Sequence, residues 1–287
     1  MRRYAFLTLD VFTATRFGGN PLAVFPEADG LSDAEMQALA AEFNLSETTF
    51  VLPPEDPANT ARVRIFNRTA EMPFAGHPNV GTGFALAGRA VNGTLRFEEI
   101  AGLVEVKVDA RGTTITAPQP LGLGAEMDAA LLAGCVGLEP GDVRVAAHRP
   151  VLASLGNSFV IAEVAPDALS RAAPDLARFR SAAEEYRAAG PKRLPIYLYA
   201  RDGAGKLRAR MFSPLSGTIE DAATGSAASP LAALLFSLGQ GEAFDISQGV
   251  EMGRPSLLRT AAWRAADGIR ATVGGGCVRV LEGFATL

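Results

Sequence analysis

Cysteine and histidine are scarce in this chain: 287 residues carry two of each, Cys135 and Cys277, His77 and His148. Two cysteines cannot staple a chain of this length, and their spacing matches no zinc or redox motif, so a reducing, cytoplasmic setting is expected. Two histidines exclude a three-histidine metal centre and leave two candidates for imidazole chemistry. An excess of one charge is also lacking. Lys+Arg number 27 and Asp+Glu 31, a net charge of −4, which argues against nucleic acid or an anionic membrane as partner. The uncharged run Ala222–Gly241 is interrupted by Thr, Ser, Pro, Gln and Gly and makes a poor membrane span. The apolar stretch near the N-terminus is broken by Asp10 and reads as a strand, not a signal peptide.

What is present is an ordinary globular composition, 48% hydrophobic and 20% charged. A chain of this size buries roughly 75% of its unfolded surface, enough for one large core or two moderate ones. Four features recur in order at offsets near half the chain length. Gly19-Asn20 is echoed by Gly156-Asn157, and a helix-like segment ending at Phe43 by one ending at Phe179. Arg64-Ile65-Phe66 is echoed by Arg210-Met211-Phe212, and Ala75-Gly76-His77-Pro78 by Thr224-Gly225-Ser226-Ala227. The order implies two similar halves.

Short β-branched or aromatic runs bounded by turn residues predict strands at 4–12, 22–25, 49–52, 61–66, 93–99, 103–108 and 113–117. In the second half they predict strands near Val151 and at 159–164, 194–199, 207–212 and 269–280. Helices are expected at 33–43, capped by Ser32 or Asp33, at 78–87 with Pro78 first, at 168–179 and at 226–238. Pro118, Pro120, Gly122 and Gly124 form the best linker. The expectation is an α+β protein of two pseudo-symmetric lobes, each a curved, mostly antiparallel sheet around a central helix. The lobes are residues 1–118 and 119–287.

In both halves the central helix opens at a glycine and a small polar group, Gly76-His77 and Gly225-Ser226. A helix start offers unpaired amides and the positive end of the dipole, which suit an anion. If the halves face each other, both starts point into one cleft that would hold a small carboxylate. Two carboxylates lie beside these motifs, Glu47 in Asn44-Leu45-Ser46-Glu47-Thr48 and Asp221 in Glu220-Asp221-Ala222-Ala223-Thr224. An acid and a base on opposite sides of a carbon are what relocation of a proton requires, and one should be buried so that it protonates near neutrality. Read locally, Asp221 serves equally as a helix cap, Glu47 as a surface residue and His77 as a structural cap. His148 reads as a solvated loop residue, both cysteines as small hydrophobes, and 184–187 as a solvated helix face.

The motifs Asp10-Val11-Phe12-Thr13, Phe17-Gly18-Gly19-Asn20-Pro21-Leu22, Asn44-Leu45-Ser46-Glu47-Thr48, Glu71-Met72-Pro73-Phe74-Ala75-Gly76-His77-Pro78 and Glu220-Asp221-Ala222-Ala223-Thr224-Gly225-Ser226-Ala227 resemble those of the phenazine-biosynthesis PhzF-like family. Gln248-Gly249 and Gly253-Arg254-Pro255-Ser256 fit as well. The resemblance spans about residues 4–282. It implies a diaminopimelate-epimerase-like fold in which a last strand near 273–281 crosses back to complete the first lobe, a homodimer, and a cofactor-free, metal-free proton-shift isomerisation of a small cyclic amino or hydroxy acid. Glu47 then takes the acid/base role, and His77, Asp221 and Ser226 bind substrate and handle protons. The Gly76 and Gly225 amides meet the carboxylate, and Ser46 and Asn20 complete the substrate contacts. Ala222 stands where the family usually has Pro, Asn67-Arg68 where Thr-Pro is common, and Asn79 where Thr is common, so the pocket rim differs. Related epimerases use paired cysteines at the two helix starts; neither cysteine here lies there.

Two rival readings remain. A serine hydrolase could use Ser226, His77 and Asp221, although no Gly-x-Ser-x-Gly elbow exists. A non-catalytic binder of small acids could keep the fold without the reaction. Gly81-Thr82-Gly83 lacks the third glycine of a nucleotide fingerprint and lies inside a predicted helix.

Overall fold

The computed structural model describes residues 1–190 and 193–287. The chain divides into two compact units, Met1–Pro118 with Val273–Leu287, and Gln119–Thr272. Residues 273–287 thus group with the first unit, and the second ends at Thr272.

The first part of the chain forms β1 (Arg3–Val11), β2 (Asn20–Phe25), α1 (Asp33–Phe43), β3 (Glu47–Leu52), β4 (Ala61–Phe66) and β5 (Glu71–Met72). It continues with α2 (Gly76–Ala85), β6 (Thr94–Glu99), β7 (Gly102–Asp109) and β8 (Gly112–Thr116). The next part forms β9 (Gly122–Glu126), α3 (Ala129–Cys135), β10 (Val143–Arg144), β11 (Val151–Ser154), β12 (Ser158–Val164), α4 (Pro166–Arg171) and α5 (Leu176–Glu185). Then come β13 (Ile196–Arg201), β14 (Lys206–Ser213), β15 (Thr218–Asp221), α6 (Gly225–Ser237), β16 (Ala243–Gln248), β17 (Ser256–Ala265), β18 (Gly268–Gly275) and β19 (Cys277–Thr286). The α+β class is as expected.

Each unit repeats one pairing scheme. In the first, β2 runs parallel to β3, β3 antiparallel to β4, and β4 takes β5 antiparallel and β6 parallel. In the second, β12 runs parallel to β13, β13 antiparallel to β14, and β14 takes β15 antiparallel and β16 parallel. The strand β19 lies antiparallel to β1, placing Arg3 opposite Thr286.

Local chemistry explains the element ends. Ser32 and Glu35 form a capping box on α1, and Asn44, in the left-handed region at φ 53°, stops it. The helix packs on an aromatic core in which Phe25 and Phe50 stack with centroids 4.9 Å apart. Helix α2 is different. It is buried from Gly76 through Gly83, so it cannot be an amphipathic surface helix. A Cβ at Gly81 would lie 2.5 Å from Leu22 Cδ2, and one at Gly83 would lie 2.6 Å from Val106 Cγ1 and Thr113 Cγ2. The two glycines therefore let β1, β2, β7 and β8 approach the helix. In the second unit α6 plays the same part, buried at Gly225 and from Ala227 through Leu235 and packed on β11, β12, β16 and β17.

Several expectations need correction. Helix α2 starts at Gly76, two residues before Pro78, so proline occupies its third position. The segment 168–179 is split between α4 and α5 because Pro174 cannot continue a helix. The segment 269–280 is split between β18 and β19 at Gly276. Residues 122–126 are not linker but strand β9, paired with β11. His148 is a half-buried loop residue rather than a freely solvated one: its ring stacks on Tyr199, and Nε2 lies 2.9 Å from the Tyr199 hydroxyl. Within 184–187, Tyr186 is buried and donates to the Ala125 carbonyl. Among the described residues no helix is long and apolar enough to cross a membrane.

The glycine contacts make a stability prediction. In a helix interior Gly→Ala ordinarily gains about 1 kcal/mol, whereas overpacking costs about 1–3 kcal/mol. Gly81→Ala should therefore lower stability in urea denaturation, and a rise would show that the close approach of Leu22 is not limiting.

Candidate functional site

In the first unit the candidate residues converge. The αL cap at Asn44 turns the chain sharply from α1, so that Glu47 becomes the first residue of β3, opposite Leu22 of β2. Ser46, just before it, donates to Asn20 Oδ1 at 3.3 Å. Asn20 in turn opens β2 after a tight loop. Asp10 accepts the Phe17 amide at 2.6 Å, and Gly19 has φ +64°, where a Cβ would meet the Val11 carbonyl at 2.4 Å.

Glu47 is one-sixth exposed, and its Oε2 lies 3.5 Å from His77 Nδ1 on α2. Burial pushes its carboxyl up to about 7, while Ser46 and the charge of Arg68 pull it partly back. The Glu47 site can thus exist in either protonation state near neutrality.

His77 is the second residue of α2, and only 6% exposed. The helices α1, α3 and α5 are capped by the side chains of Ser32, Asp128 and Asp175. In contrast, the cap position of α2 is Ala75, whose methyl group cannot accept a hydrogen bond. The Asn79 side chain donates to the Ala75 carbonyl at 3.1 Å and fixes this turn from inside.

The second unit builds its candidate residues at the equivalent place. Asp221 ends β15, and α6 starts at Gly225 after three residues. Thr224 holds the cap position, yet its hydroxyl donates to Asp221 Oδ2 at 2.6 Å instead of capping the helix. Ser226 is half-buried in the first turn of α6. The Gln248 side chain, fully buried, donates to the Asp221 carbonyl at 2.9 Å and to Thr224 Oγ1 at 3.0 Å. Its own oxygen accepts from the Tyr197 hydroxyl and the Thr224 amide. Ser256 holds the Ala222 carbonyl at 2.9 Å.

Sequence reasoning therefore found the residues at the helix starts but not those that hold them. Gln248 entered only as part of a family motif; its role needs the fold, which brings β16 beside residues 221–224. Glu99 was not singled out at all. Leu95, Phe97 and Glu99 share the core face of β6 by two-residue alternation, and burial pushes the Glu99 carboxyl up to about 8, against a nearby Asn79. A carboxylate in register with two buried apolar residues was the available signal. Both cysteines are pushed up to about 12 by burial, so neither is a ready nucleophile. Among the described residues, no group of three His, Cys, Asp or Glu side chains could hold a metal ion.

The model of the family described as phenazine biosynthesis-like protein matches residues 9–283. The trans-2,3-dihydro-3-hydroxyanthranilate isomerase of Pseudomonas aeruginosa is 37% identical over 302 aligned residues, covering 100% of each chain. The crystal structure of a Bacillus anthracis phenazine biosynthesis protein of the PhzF family is 26% identical, covers 100% of both chains and superposes with a TM-score of 0.87. A hydroxyproline epimerase from Agrobacterium vitis, at 14% identity, covers 100% of this chain and 93% of its own with a TM-score of 0.64, which shows the shared epimerase-like fold. The chain belongs to the phenazine biosynthesis-like family of isomerases.

Proposed function

We propose that this isomerase moves a proton within a small cyclic amino or hydroxy acid, using Glu47 as general acid/base and no cofactor. The observation that carries the reading is the state of Glu47. A carboxyl held near 7 beside His77 at 3.5 Å can accept a proton from carbon as the carboxylate and return it as the acid. An ordinary glutamate at pH 7 would be almost wholly ionised and would lack the acid form. The related isomerase named for trans-2,3-dihydro-3-hydroxyanthranilate supports a cyclic, carboxylate-bearing substrate. His77 and Asp221 take proton-handling roles on this reading. Ser46, Asn20 and Ser226 contact the substrate, and the Gly76 and Gly225 amides receive its carboxylate, in keeping with helix starts that no side chain caps.

The hydrolase alternative draws less support. Ser226 lies in Thr224-Gly225-Ser226-Ala227, without the Gly-x-Ser-x-Gly elbow that exposes a nucleophilic serine.

Glu47→Gln keeps the shape and removes the exchangeable acid. Turnover, followed as deuterium uptake from D2O into trans-2,3-dihydro-3-hydroxyanthranilate and related small acids, should fall by roughly 100-fold or more. Full activity in this variant would refute the assignment, and labelling of Ser226 by a fluorophosphonate would favour the hydrolase instead.

The same substitution has a pH signature in stability. The Glu47 carboxyl titrates near 7 when folded and at 4.5 when unfolded. Its protonated form is therefore favoured in the fold, with the stabilising effect present below the unfolded value and lost as pH rises through the folded one. Melting temperatures of the parent relative to Glu47→Gln should fall as pH rises from about 5 to about 8. A constant difference would mean that Glu47 is not desolvated.

A further inference from the structure

The repeated Arg-x-Phe segments have no part in the proton transfer proposed above, yet each ends in the same side-chain arrangement. In the first unit, Arg64 Nε and Nη2 donate to the two oxygens of Glu71, both at 2.6 Å. The guanidinium carbon lies 5.1 Å from the centroid of Phe66. In the second unit, Arg210 Nε and Nη2 donate to the two oxygens of Glu220, both at 2.8 Å, and the guanidinium lies 4.9 Å from Phe212. The pairs are largely withdrawn from water, with side-chain exposures of 18% and 23% in the first unit and 8% and 13% in the second.

The backbone register matches too. Ile65, between the Arg and the Phe, pairs with Met72, the residue after Glu71. Met211, between the Arg and the Phe, pairs with Asp221, the residue after Glu220. Three residues then separate Met72 from Gly76, and three separate Asp221 from Gly225. Each clamp thus grips the chain at one fixed distance before a buried helix start. The third guanidinium nitrogen ties the clamp to another helix of its unit. Arg64 Nη1 donates to Asp33 at the start of α1, and Arg210 Nη1 donates to the Leu169 and Ala172 carbonyls at the end of α4, at 3.0 and 2.7 Å.

A desolvated ion pair is a poor way to add stability, because apolar residues of similar size often do as well or better. What a bidentate, ring-stacked guanidinium does supply is a defined geometry in two directions, in the plane of the fork and perpendicular to it. We propose that the two Arg–Glu–Phe clamps are positioning elements of the site: Arg64 with Glu71 sets the approach to Gly76 and His77, and Arg210 with Glu220 sets Asp221 and the approach to Gly225 and Ser226. The importance of those residues rests on the function proposed above; the geometry they are held in does not. Asp221 depends most directly on its clamp, since it follows Glu220 and its strand partner Met211 follows Arg210.

The test reads His77 and Asp221 without any substrate. Only two histidines exist, so isotopically labelled histidine gives two ring signals, and His148→Gln identifies that of His77. Labelled aspartate carboxyl carbons are assigned by the signal lost in Asp221→Asn. Arg64→Lys keeps the charge but loses the fork and the flat face. It should displace or broaden the His77 signals, whereas Arg62→Lys on the same strand, whose partner is Glu55, should not. Arg210→Lys should likewise move the Asp221 carboxyl signal, while Arg201→Lys on β13, whose partner is Glu163, leaves it in place. A lowered melting temperature with both signals unmoved would reduce the clamps to structural ion pairs and overturn the proposal. Where a lysine variant fails to fold, Glu71→Gln or Glu220→Gln, which keep the acceptor's shape, give the same reading. Failure of Glu47→Gln to reduce turnover would remove the proton-shift assignment and leave this result untouched.

Discussion

A helix buried at its own N-terminus is the constraint on which each unit is built. Such a helix has no water to satisfy its first amides and no solvent face to hide a bulky side chain. In the first unit glycines 81 and 83 answer the second demand by letting neighbouring strands close in. In the second, an alanine-rich α6 answers it with small side chains. The first demand is met differently from α1, α3 and α5, which carry capping side chains. The buried starts have none, and Thr224, a residue type suited to capping, turns its hydroxyl to Asp221. The interior glycines and the missing caps come at a cost to helix stability that the surrounding sheet must offset.

Burial of the helix start also determines the electrostatics around it. Glu47 is carried into the same low-dielectric region by the turn that ends α1, and loss of water raises its carboxyl to about 7. A nearby positive charge, Arg68, opposes the shift without reversing it. Glu99, further along the sheet on the core face of β6, responds to the same desolvation. The elevated carboxyl is thus a consequence of how closely the sheet wraps α2, not of any special feature of the glutamate itself.

Positions near the site are held by polar groups that need the same dry environment to be effective. Gln248 makes four hydrogen bonds to the strand and loop around Asp221, and to Tyr197, with no exposure to water. Such a satisfied network holds a unique geometry, because losing one partner leaves a buried polar group unpaired. The arginine clamps act one step further back along the chain. Their recurrence in the same register in both units ties the sequence repeat to a physical cause.

Much of the local structure was legible in the sequence. Strand 61–66 and helix 33–43 have the expected ends, because caps and alternation act within a few residues. The motif loops marked Glu47, His77, Asp221 and Ser226 as candidates for the same reason: glycines and small polar residues announce tight turns and helix starts. Breaks at Pro174 and Gly276 were equally local, and were missed by reading through them. The tertiary structure alone decided the rest. Glu47 and His77 are 30 residues apart, and nothing in either segment states that Nδ1 and Oε2 lie 3.5 Å from each other or that water is excluded around them. The grip of Gln248 on residues 221–224 and the rise of the Glu99 carboxyl are of this kind. Periodicity and capping are encoded by neighbours in the chain, whereas desolvation and side-chain contact depend on which distant segments pack together.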